Sequence, residues 1–242
     1  MNLENKWLGN EVIYLKSCSS TNQYALDILT ASQKSGLMVI SEEQTKGRGR
    51  FNREWVSHPN ESLTFSIIFK KNDRISIPFY TLIPCVALVE VLNQFYQIQA
   101  QIKWPNDVLI GDKKISGILA ECKKVEMTEY IIVGMGMNVN HVMNTSKAIS
   151  LSESLGQKIN RDELLKYILE KWEMLMDKHA LDSDHVRKLW NQYANIGGKE
   201  LKIDWQGKIS NFKAIELNEQ GFLKVMKNDE EIILHSGELL NE

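Results

Sequence analysis

The stretch Gly47-Arg48-Gly49-Arg50-Phe51-Asn52-Arg53-Glu54-Trp55 (GRGRFNREW) holds three arginines and two glycines in nine residues. Such a composition fits neither a buried strand nor an ordinary amphipathic helix. Glycine lets the backbone turn and approach a ligand closely, and arginine presents forked donors that suit phosphate and carboxylate oxygens. Trp55 adds a flat apolar face. The stretch predicts an anion-binding loop, with a solvated basic turn as the alternative.

The composition is that of an ordinary globular protein. Of the 242 residues, 43% are hydrophobic and 25% are charged. The length is enough for one large domain, or for a large domain followed by a small one. The net charge of −2 argues against bulk nucleic-acid binding, and it favours a small anionic ligand for the arginine-rich loop.

Cysteine usage and hydropathy bear on location. Cys18, Cys85 and Cys122 are odd in number, far apart and outside any C-x-x-C pattern, which predicts reduced thiols and not disulfides or a zinc site. The N-terminal residues lack the apolar segment of a signal peptide. The longest apolar stretch, 77–92, contains two prolines and is short for a membrane span. We expect a cytoplasmic protein with no membrane partner.

A polar cluster, Ser20-Thr21-Asn22, lies between a strand expected at 11–15 and apolar residues at helical spacing that continue to Gly36. Helix capping explains a Ser or Thr at this point, while a helix N-terminus also holds polar ligands, so both readings stay open. Further along, the patterns predict strands at 37–40 and 62–69 and a mostly buried helix at 78–96, kinked by Pro84.

Residues 102–121 predict a hairpin whose first strand is interrupted at Pro105 and then resumes. One interpretation treats Lys103 and Lys114 as protection of an edge strand and Asn106-Asp107 as an ordinary turn. Their concentration around one hairpin, in a chain that also carries the arginine loop, favours a ligand site instead.

A glycine-containing segment, Gly134-Met135-Gly136-Met137-Asn138, ends a β-branched run that starts at Tyr130. It lacks the third glycine, the following helix and the later acidic residue of a dinucleotide-binding fingerprint. Glycines at a strand end instead give a ligand close access to the backbone.

The C-terminal third changes period twice. From Asn160 the apolar residues recur at helical spacing, and a shorter helix is expected at 184–194. After Asn195-Ile196-Gly197-Gly198, short alternating segments separated by turn signals predict a small β-barrel. We therefore predict an α+β fold, with a mixed β-sheet packed with helices in residues 1–195 and a small β domain in residues 196–242.

Taken in chain order, the motifs resemble those of the biotin protein ligases over nearly the whole chain. They are Ser20-Thr21-Asn22, QTKGRGRFNREW (44–55), KWPND (103–107), KISGILAE (114–121) and GMGMN (134–138). The resemblance implies a class II aminoacyl-tRNA-synthetase-like catalytic domain and a C-terminal SH3-like barrel. It implies the monofunctional form, without the DNA-binding domain of some bacterial members. Asn52 stands where many members have glycine, and asparagine is the residue other than glycine that best tolerates a positive φ.

The resemblance also implies a two-step reaction. The biotin carboxylate attacks the α-phosphorus of ATP to give biotinyl-5′-AMP and pyrophosphate, with Mg²⁺ on the leaving group. A lysine amine of a biotin carboxyl carrier domain, as in acetyl-CoA carboxylase or related carboxylases, then attacks the mixed anhydride and releases AMP. No DNA partner is implied. Family members occur as monomers and as homodimers, so a homodimer is expected as one of the two states.

Matching positions take their expected roles from the same resemblance. Lys114 and Arg50 are expected to be catalytic, and Asp107 is the candidate metal ligand. Biotin binding is expected of Ser20, Thr21, Asn22, Gln44, Arg48, Gly49, Arg50, Lys114, Gly117, Gly134 and Gly136. Binding of ATP or the adenylate is expected of Arg48, Arg50, Arg53, Trp55, Asn106, Asp107 and Asn138, with Trp55 over the adenine.

Three alternative functions remain, and the least specific of them is a generic anion-binding structural protein. A lipoate or octanoate ligase or transferase would share the fold, although those relatives lack the paired GRGR-x-x-R-x-W and KWPND motifs. A biotin sensor without catalysis would bind the same ligand, but the intact Lys114 speaks against it. Because a mixed anhydride hydrolyses in water, we expect residues 47–55 to act as a lid that orders around the bound anion.

Overall fold

The computed structural model describes residues 7–30, 32, 34–143 and 145–240. Its centre is a seven-stranded sheet with the order β1-β2-β3-β7-β6-β5-β4. β1 pairs in parallel with β2, and the other neighbours are antiparallel. The strands are β1 Val12–Leu15, β2 Met38–Ser41, β3 Ser62–Lys70, β4 Ala100–Lys103, β5 Asp107–Ile110, β6 Lys113–Val125 and β7 Thr128–Asn138. The predicted mixed sheet is confirmed.

Five α-helices accompany the sheet in the described ranges: α1 Thr21–Ile28, α2 Phe79–Phe95, α3 Leu151–Leu155, α4 Arg161–Leu181 and α5 Ser183–Ala194. α2 is the buried helix that the sequence predicted; it is apolar all round because it lies between the sheet and α4, and it continues through Pro84. In the described part of the chain, no helix combines the length and the apolar character that a membrane crossing requires.

Apolar side chains cover both faces of the sheet, and successive residues of a strand point to opposite faces. On one face, Met38, Ile67 and Val133 join the large core formed with α2, α4 and α5. On the other face, Val39 and Ile68 belong to a smaller cluster that includes residues of α1. The face of the sheet on the α1 side also carries small residues, among them Gly134 and Gly136, which line the cavity described below.

A second, five-stranded antiparallel sheet follows α5, in the order β11-β10-β9-β8-β12. Its strands are β8 Glu200–Trp205, β9 Lys208–Leu217, β10 Leu223–Lys227, β11 Glu230–Leu234 and β12 Glu238–Leu239. The predicted C-terminal β region is thus confirmed, although the sequence patterns missed β12. Ile196, Leu201 and Phe212 share one buried cluster with α2, and the division at 195/196 stays a prediction.

Two local expectations were wrong. The segment around Pro105 is not one interrupted strand, because Ile102 pairs with Val108 and Lys103 with Asp107 in an antiparallel hairpin. Proline has no N–H for the ladder, so the strand ends and the chain reverses. The helix after Ser20 ends at Ile28 instead of continuing towards Gly36.

Candidate active site

A cavity of about 170 Å³ opens on the α1 side of the sheet, between α1, the arginine-rich loop and the end of the second sheet. Five cationic side chains and three carboxylates line it: Arg48, Arg50, Arg53, Lys103 and Lys114, with Glu54, Asp107 and Glu238. The cationic excess favours an anionic ligand.

The loop from Gly47 to Trp55, hereafter the arginine loop, is a compact hairpin. The Trp55 N–H donates to the Gly47 carbonyl at 2.9 Å and the Gly49 N–H to the Arg53 carbonyl at 2.7 Å. A short 3-10 turn at its tip places Asn52 at φ 57°, the left-handed region expected where relatives have glycine.

Three of the five cationic side chains in the cavity form an ion pair with a carboxylate of the protein. The Lys114 Nζ lies 2.7 Å from Asp107 Oδ1, and Arg48 lies 3.2 Å from Glu121. Arg53 makes a two-pronged hydrogen bond with Glu238 of β12, and this bond lowers the pKa of the Glu238 carboxyl. These carboxylates hold the donors in place for a ligand anion that would replace or join them.

Arg50 is bound differently from the other two arginines. Its guanidinium donates to the Gly237 carbonyl at 2.9 Å and lies 3.5 Å from Asn106 Oδ1. Burial lowers the pKa of Arg50, although arginine stays charged. Burial likewise lowers the pKa of Lys103. A partly desolvated cation attracts a phosphate or carboxylate more strongly than an exposed one.

The indole of Trp55 lies against Gly136 of β7. A Cβ built on Gly136 would stand 2.4 Å from Trp55 Cε2, so only glycine admits the indole there. The Lys114 Nζ lies 5.7 Å from the indole ring, and Trp55 Nε1 is buried with no hydrogen-bond partner among the described residues. The indole therefore lies next to the expected catalytic lysine, with one donor unused.

Uncharged polar groups form the opposite end of the cavity. Gln44 Oε1 accepts from the Thr21 N–H at 2.7 Å, and Ser66 Oγ lies 2.7 Å from Thr21 Oγ1 and 2.6 Å from Asn22 Oδ1. The Ser20 side chain makes no capping bond to α1. Capping therefore does not explain the polar cluster, and the ligand-binding interpretation gains support.

The predicted site residues come together with one exception. The cavity is lined by Ser20, Thr21, Asn22, Gln44, Arg48, Gly49, Arg50, Arg53, Trp55, Asn106, Asp107, Lys114, Gly117, Gly134 and Gly136. Asn138 does not line it. Its amide lies 3.4 Å from the carbonyls of Lys114 and Ile149, because β7 ends there beside the 147–149 segment, which pairs with Lys114.

Sequence reasoning missed several residues of the site. Ser66 lies in the middle of β3, where the sequence predicted only a strand and no site residue. Glu238 lies in β12, a strand too short to be detected, yet it contacts Arg53. Glu121 ends the KISGILAE motif and had no assigned role, although it contacts Arg48 and Asn22.

The cleft on this mixed sheet has a cationic end and a neutral, hydrogen-bonding end. Such a cleft suits an enzyme that activates a small acid with a nucleotide. Residues 14–138 match the biotin/lipoate A/B protein ligase family. The chain is 31% identical over 241 residues to the bifunctional ligase/repressor BirA of Bacillus subtilis, covering 94% of this chain and 73% of the relative. The human biotin–protein ligase is 27% identical, with 96% of this chain and 34% of that protein covered.

Solved structures agree with these relatives. The Aquifex aeolicus biotin protein ligase, in complex with biotin and ATP, superimposes with a TM-score of 0.82 at 26% identity, covering 96% of this chain and 98% of that one. This chain therefore belongs to the biotin/lipoate A/B protein ligase family, as the motifs predicted.

Proposed function

We propose that this protein is an ATP-dependent biotin protein ligase, which forms biotinyl-5′-AMP and transfers biotin to a lysine of a carrier domain. The observation that carries the proposal is the single cavity that joins Lys114 and the arginine loop to the neutral Thr21–Gln44 end. The relatives and structural neighbours named above are biotin protein ligases or the ligase/repressor BirA, and this supports biotin over lipoate as the acid.

At the neutral end, uncharged donors and acceptors suit the ureido ring of biotin. The Thr21, Asn22 and Gln44 side chains supply them, and Gly134 leaves room for the Asn22 carboxamide. The ureido ring carries no charge. The buried polar side chains therefore select it over other groups by the direction of each hydrogen bond.

At the cationic end, two anions must meet. Lys114 would hold the biotin carboxylate against the α-phosphate, and a Cβ on Gly117 would stand 3.0 Å from Lys114 Nζ, so glycine leaves the lysine room. Arg48, Arg50 and Arg53 would offset the repulsion and stabilise charge developing at phosphorus. Trp55 is the apolar surface available to the adenine.

The Mg²⁺ of the proposal would be carried on the phosphates, with one protein carboxylate. Among the described residues, no cluster of three or more His, Cys, Asp or Glu side chains could hold a metal ion. Magnesium in nucleotide sites keeps several waters and takes one or two carboxylates besides phosphate oxygens, and the Asp107 carboxylate in the cavity fits that part. When bound, Mg²⁺ would neutralise charge on the departing pyrophosphate.

The second half-reaction requires an acceptor amine. The lysine nitrogen would attack the acyl carbon, forming an amide as the bond to the AMP oxygen breaks and the amine loses a proton. The acceptor is proposed to be a biotin carboxyl carrier domain of acetyl-CoA carboxylase or a related carboxylase. A cytoplasmic location is part of the proposal, supported by the three free cysteines. A homodimer stays a prediction.

Exchange of labelled pyrophosphate into ATP tests the proposal, with biotin, lipoate and octanoate as parallel substrates in the presence of Mg²⁺. Exchange with biotin alone is the expected result. Exchange with lipoate or octanoate but not biotin would keep the fold and chemistry and replace the substrate. Exchange with no acid, from folded protein, would leave a binding protein without catalysis.

A further inference from the structure

Glu121 connects the two ends of the cavity although it lies outside the GRGR and KWPND motifs. It stands on β6, and its carboxylate accepts from Asn22 Nδ2 at 2.8 Å and from Arg48 at 3.2 and 3.3 Å. The Glu121 side chain is 28% exposed and that of Arg48 38% exposed. One carboxylate therefore touches both the neutral end and the arginine loop.

The Glu121 contact decides which way the Asn22 carboxamide faces. Carboxylate and carbonyl oxygens only accept hydrogen bonds, so the two oxygens near this amide, those of Glu121 and the Leu119 carbonyl at 3.2 Å, must face its NH₂ group. Oδ1 then points to the opposite side, where it accepts from Ser66. A Cβ on Gly134 would stand 2.2 Å from this oxygen.

Fixing this orientation sets the hydrogen-bond polarity of the neutral end. An amide oxygen accepts two hydrogen bonds, and Ser66 supplies one of them. Both Asn22 hydrogens are directed at Leu119 and Glu121, so the group has accepting capacity left and no donor. A ligand that meets Asn22 must therefore bring an N–H or O–H. The ureido N–H of biotin does, whereas the dithiolane of lipoate has no such donor.

We propose that Glu121 is a positioning residue that orients Asn22 as a hydrogen-bond acceptor for a ligand N–H and at the same time anchors Arg48 of the arginine loop. The inference rests on the proposed biotin ligase function. It adds a determinant of specificity that acts through two neighbours and does not itself touch the ligand.

Binding measurements on Glu121→Ala and the nearly isosteric Glu121→Gln test the inference, with Glu129→Ala as the matched control. Glu129 is a carboxylate on the adjoining strand that pairs with Lys71, away from the cavity. For Glu121→Ala we expect biotin affinity to fall about tenfold, the size of one or two lost hydrogen bonds. ATP affinity without biotin should fall less, by about twofold to threefold, because Arg48 loses its anchor while Arg50, Arg53 and Lys114 keep their places at the cationic end. Glu121→Gln keeps one acceptor for Asn22 and should show a smaller loss.

Trypsin supplies a readout that needs no ligand. Without Glu121, Arg48 loses its acidic partner, so cleavage after Arg48 should be several-fold faster in Glu121→Ala than in the wild type or in Glu129→Ala. Far-ultraviolet circular dichroism verifies that each variant is folded, and Glu121→Gln serves if Glu121→Ala is not.

The outcomes separate the two claims. Wild-type protein that fails to bind biotin would refute the proposed function. Wild-type binding that is equally tight in both Glu121 variants would refute the positioning role and leave the function standing. Equal losses of biotin and ATP affinity would also overturn it, because a general structural defect weakens both.

Discussion

Single residues of this site act in pairs of opposite charge. Lys114 with Asp107 and Arg48 with Glu121 both hold a cation at a set distance before any ligand arrives. Pairing keeps the long side chains ordered, and it requires that an incoming phosphate or carboxylate compete with an internal anion. Each member of such a pair therefore affects both the affinity and the geometry of the bound ligand.

Lys114→Ala should suppress adenylate formation. The lysine is the cation placed between Asp107 and Trp55, and loss of one donor to developing charge costs about 10²–10³-fold in rate. Pyrophosphate exchange measures the effect. Lys113→Ala, which removes the exposed neighbouring lysine, is the control and should keep the wild-type rate. Normal exchange in Lys114→Ala would remove the lysine from its assigned role.

Substitutions at the two glycines of β7 should affect the two substrates differently. An alanine Cβ at position 134 would collide with Asn22 Oδ1 at 2.2 Å, while one at position 136 would collide with the Trp55 indole at 2.4 Å. We expect Gly134→Ala to raise the KM for biotin by about tenfold or more, because closely packed sites tolerate no extra methyl. The resemblance places Gly136 among the biotin-binding positions, but a methyl there would displace Trp55, so we expect Gly136→Ala to raise mainly the KM for ATP, by a similar factor. Steady-state kinetics with each substrate varied in turn measures both. Parallel effects on both constants in both variants would contradict the division of the cavity.

Among the elements, the arginine loop is the one that we predict to close over the ligand. Arg50 ties it to the second sheet through Gly237 and to the KWPND hairpin through Asn106. Loops that close over a reactive intermediate keep water away from it.

Arg50→Ala should therefore leave the fold intact and let the adenylate escape. We expect free biotinyl-5′-AMP to accumulate in solution at least about tenfold faster than from wild type, since one charge-assisted contact is worth 1.5–3 kcal/mol. Chromatography of the filtrate after a single incubation quantifies it. Arg74→Ala, an exposed arginine outside the cavity, is the control. Retention of the adenylate at the wild-type level would show that Arg50 does not hold it.

The elements could largely be predicted from the sequence because their signals are local. The run SLTFSIIF (62–69) marked β3 and the apolar run marked α2. Asn160 marked the start of α4, where its side chain accepts from the backbone N–H groups of Asp162 and Glu163. The motif residues of the cavity could be assigned from the resemblance, since the same glycines and arginines in the same order indicate the same site in related proteins.

What could not be predicted depends on contacts between distant residues. Glu238 is 185 residues from Arg53 along the chain, and no local pattern connects them. The prediction of one interrupted strand at Pro105 was wrong, because a proline indicates that a strand is broken but not whether the chain then continues or reverses. Asn138 shares the strand face of Gly134 and Gly136 by alternation, yet its amide is used by the backbone of neighbouring segments.

At the scale of the whole molecule, the second sheet completes the cavity. Glu238 and Leu239 of β12 line it beside the arginine loop, and Leu239 packs against the same core that holds α2. The catalytic sheet therefore does not form the site alone, and contacts between the two sheets should influence both stability and the position of the loop.

The Arg53–Glu238 contact makes a pH-dependent prediction about this connection. The hydrogen bond to Arg53 lowers the pKa of Glu238 from its model-compound value of 4.5, so the contact stabilises the fold above that value and its contribution is lost as the pH falls through the lowered pKa. Glu238→Gln should lower Tm near pH 7 by only about 2 °C, because the Arg53 side chain is mostly exposed and screened.

Thermal unfolding of wild type and Glu238→Gln at several pH values measures this effect. The difference in Tm should be constant near neutrality and shrink towards zero as the solution becomes acid enough to protonate Glu238 in the folded protein. Glu230→Gln, an exposed carboxylate in the same sheet, controls for the change in net charge. A Tm difference that persists after Glu238 is protonated would mean that the glutamate stabilises the fold by packing. The absence of any difference at neutral pH would mean that the second sheet does not hold the arginine loop through this contact.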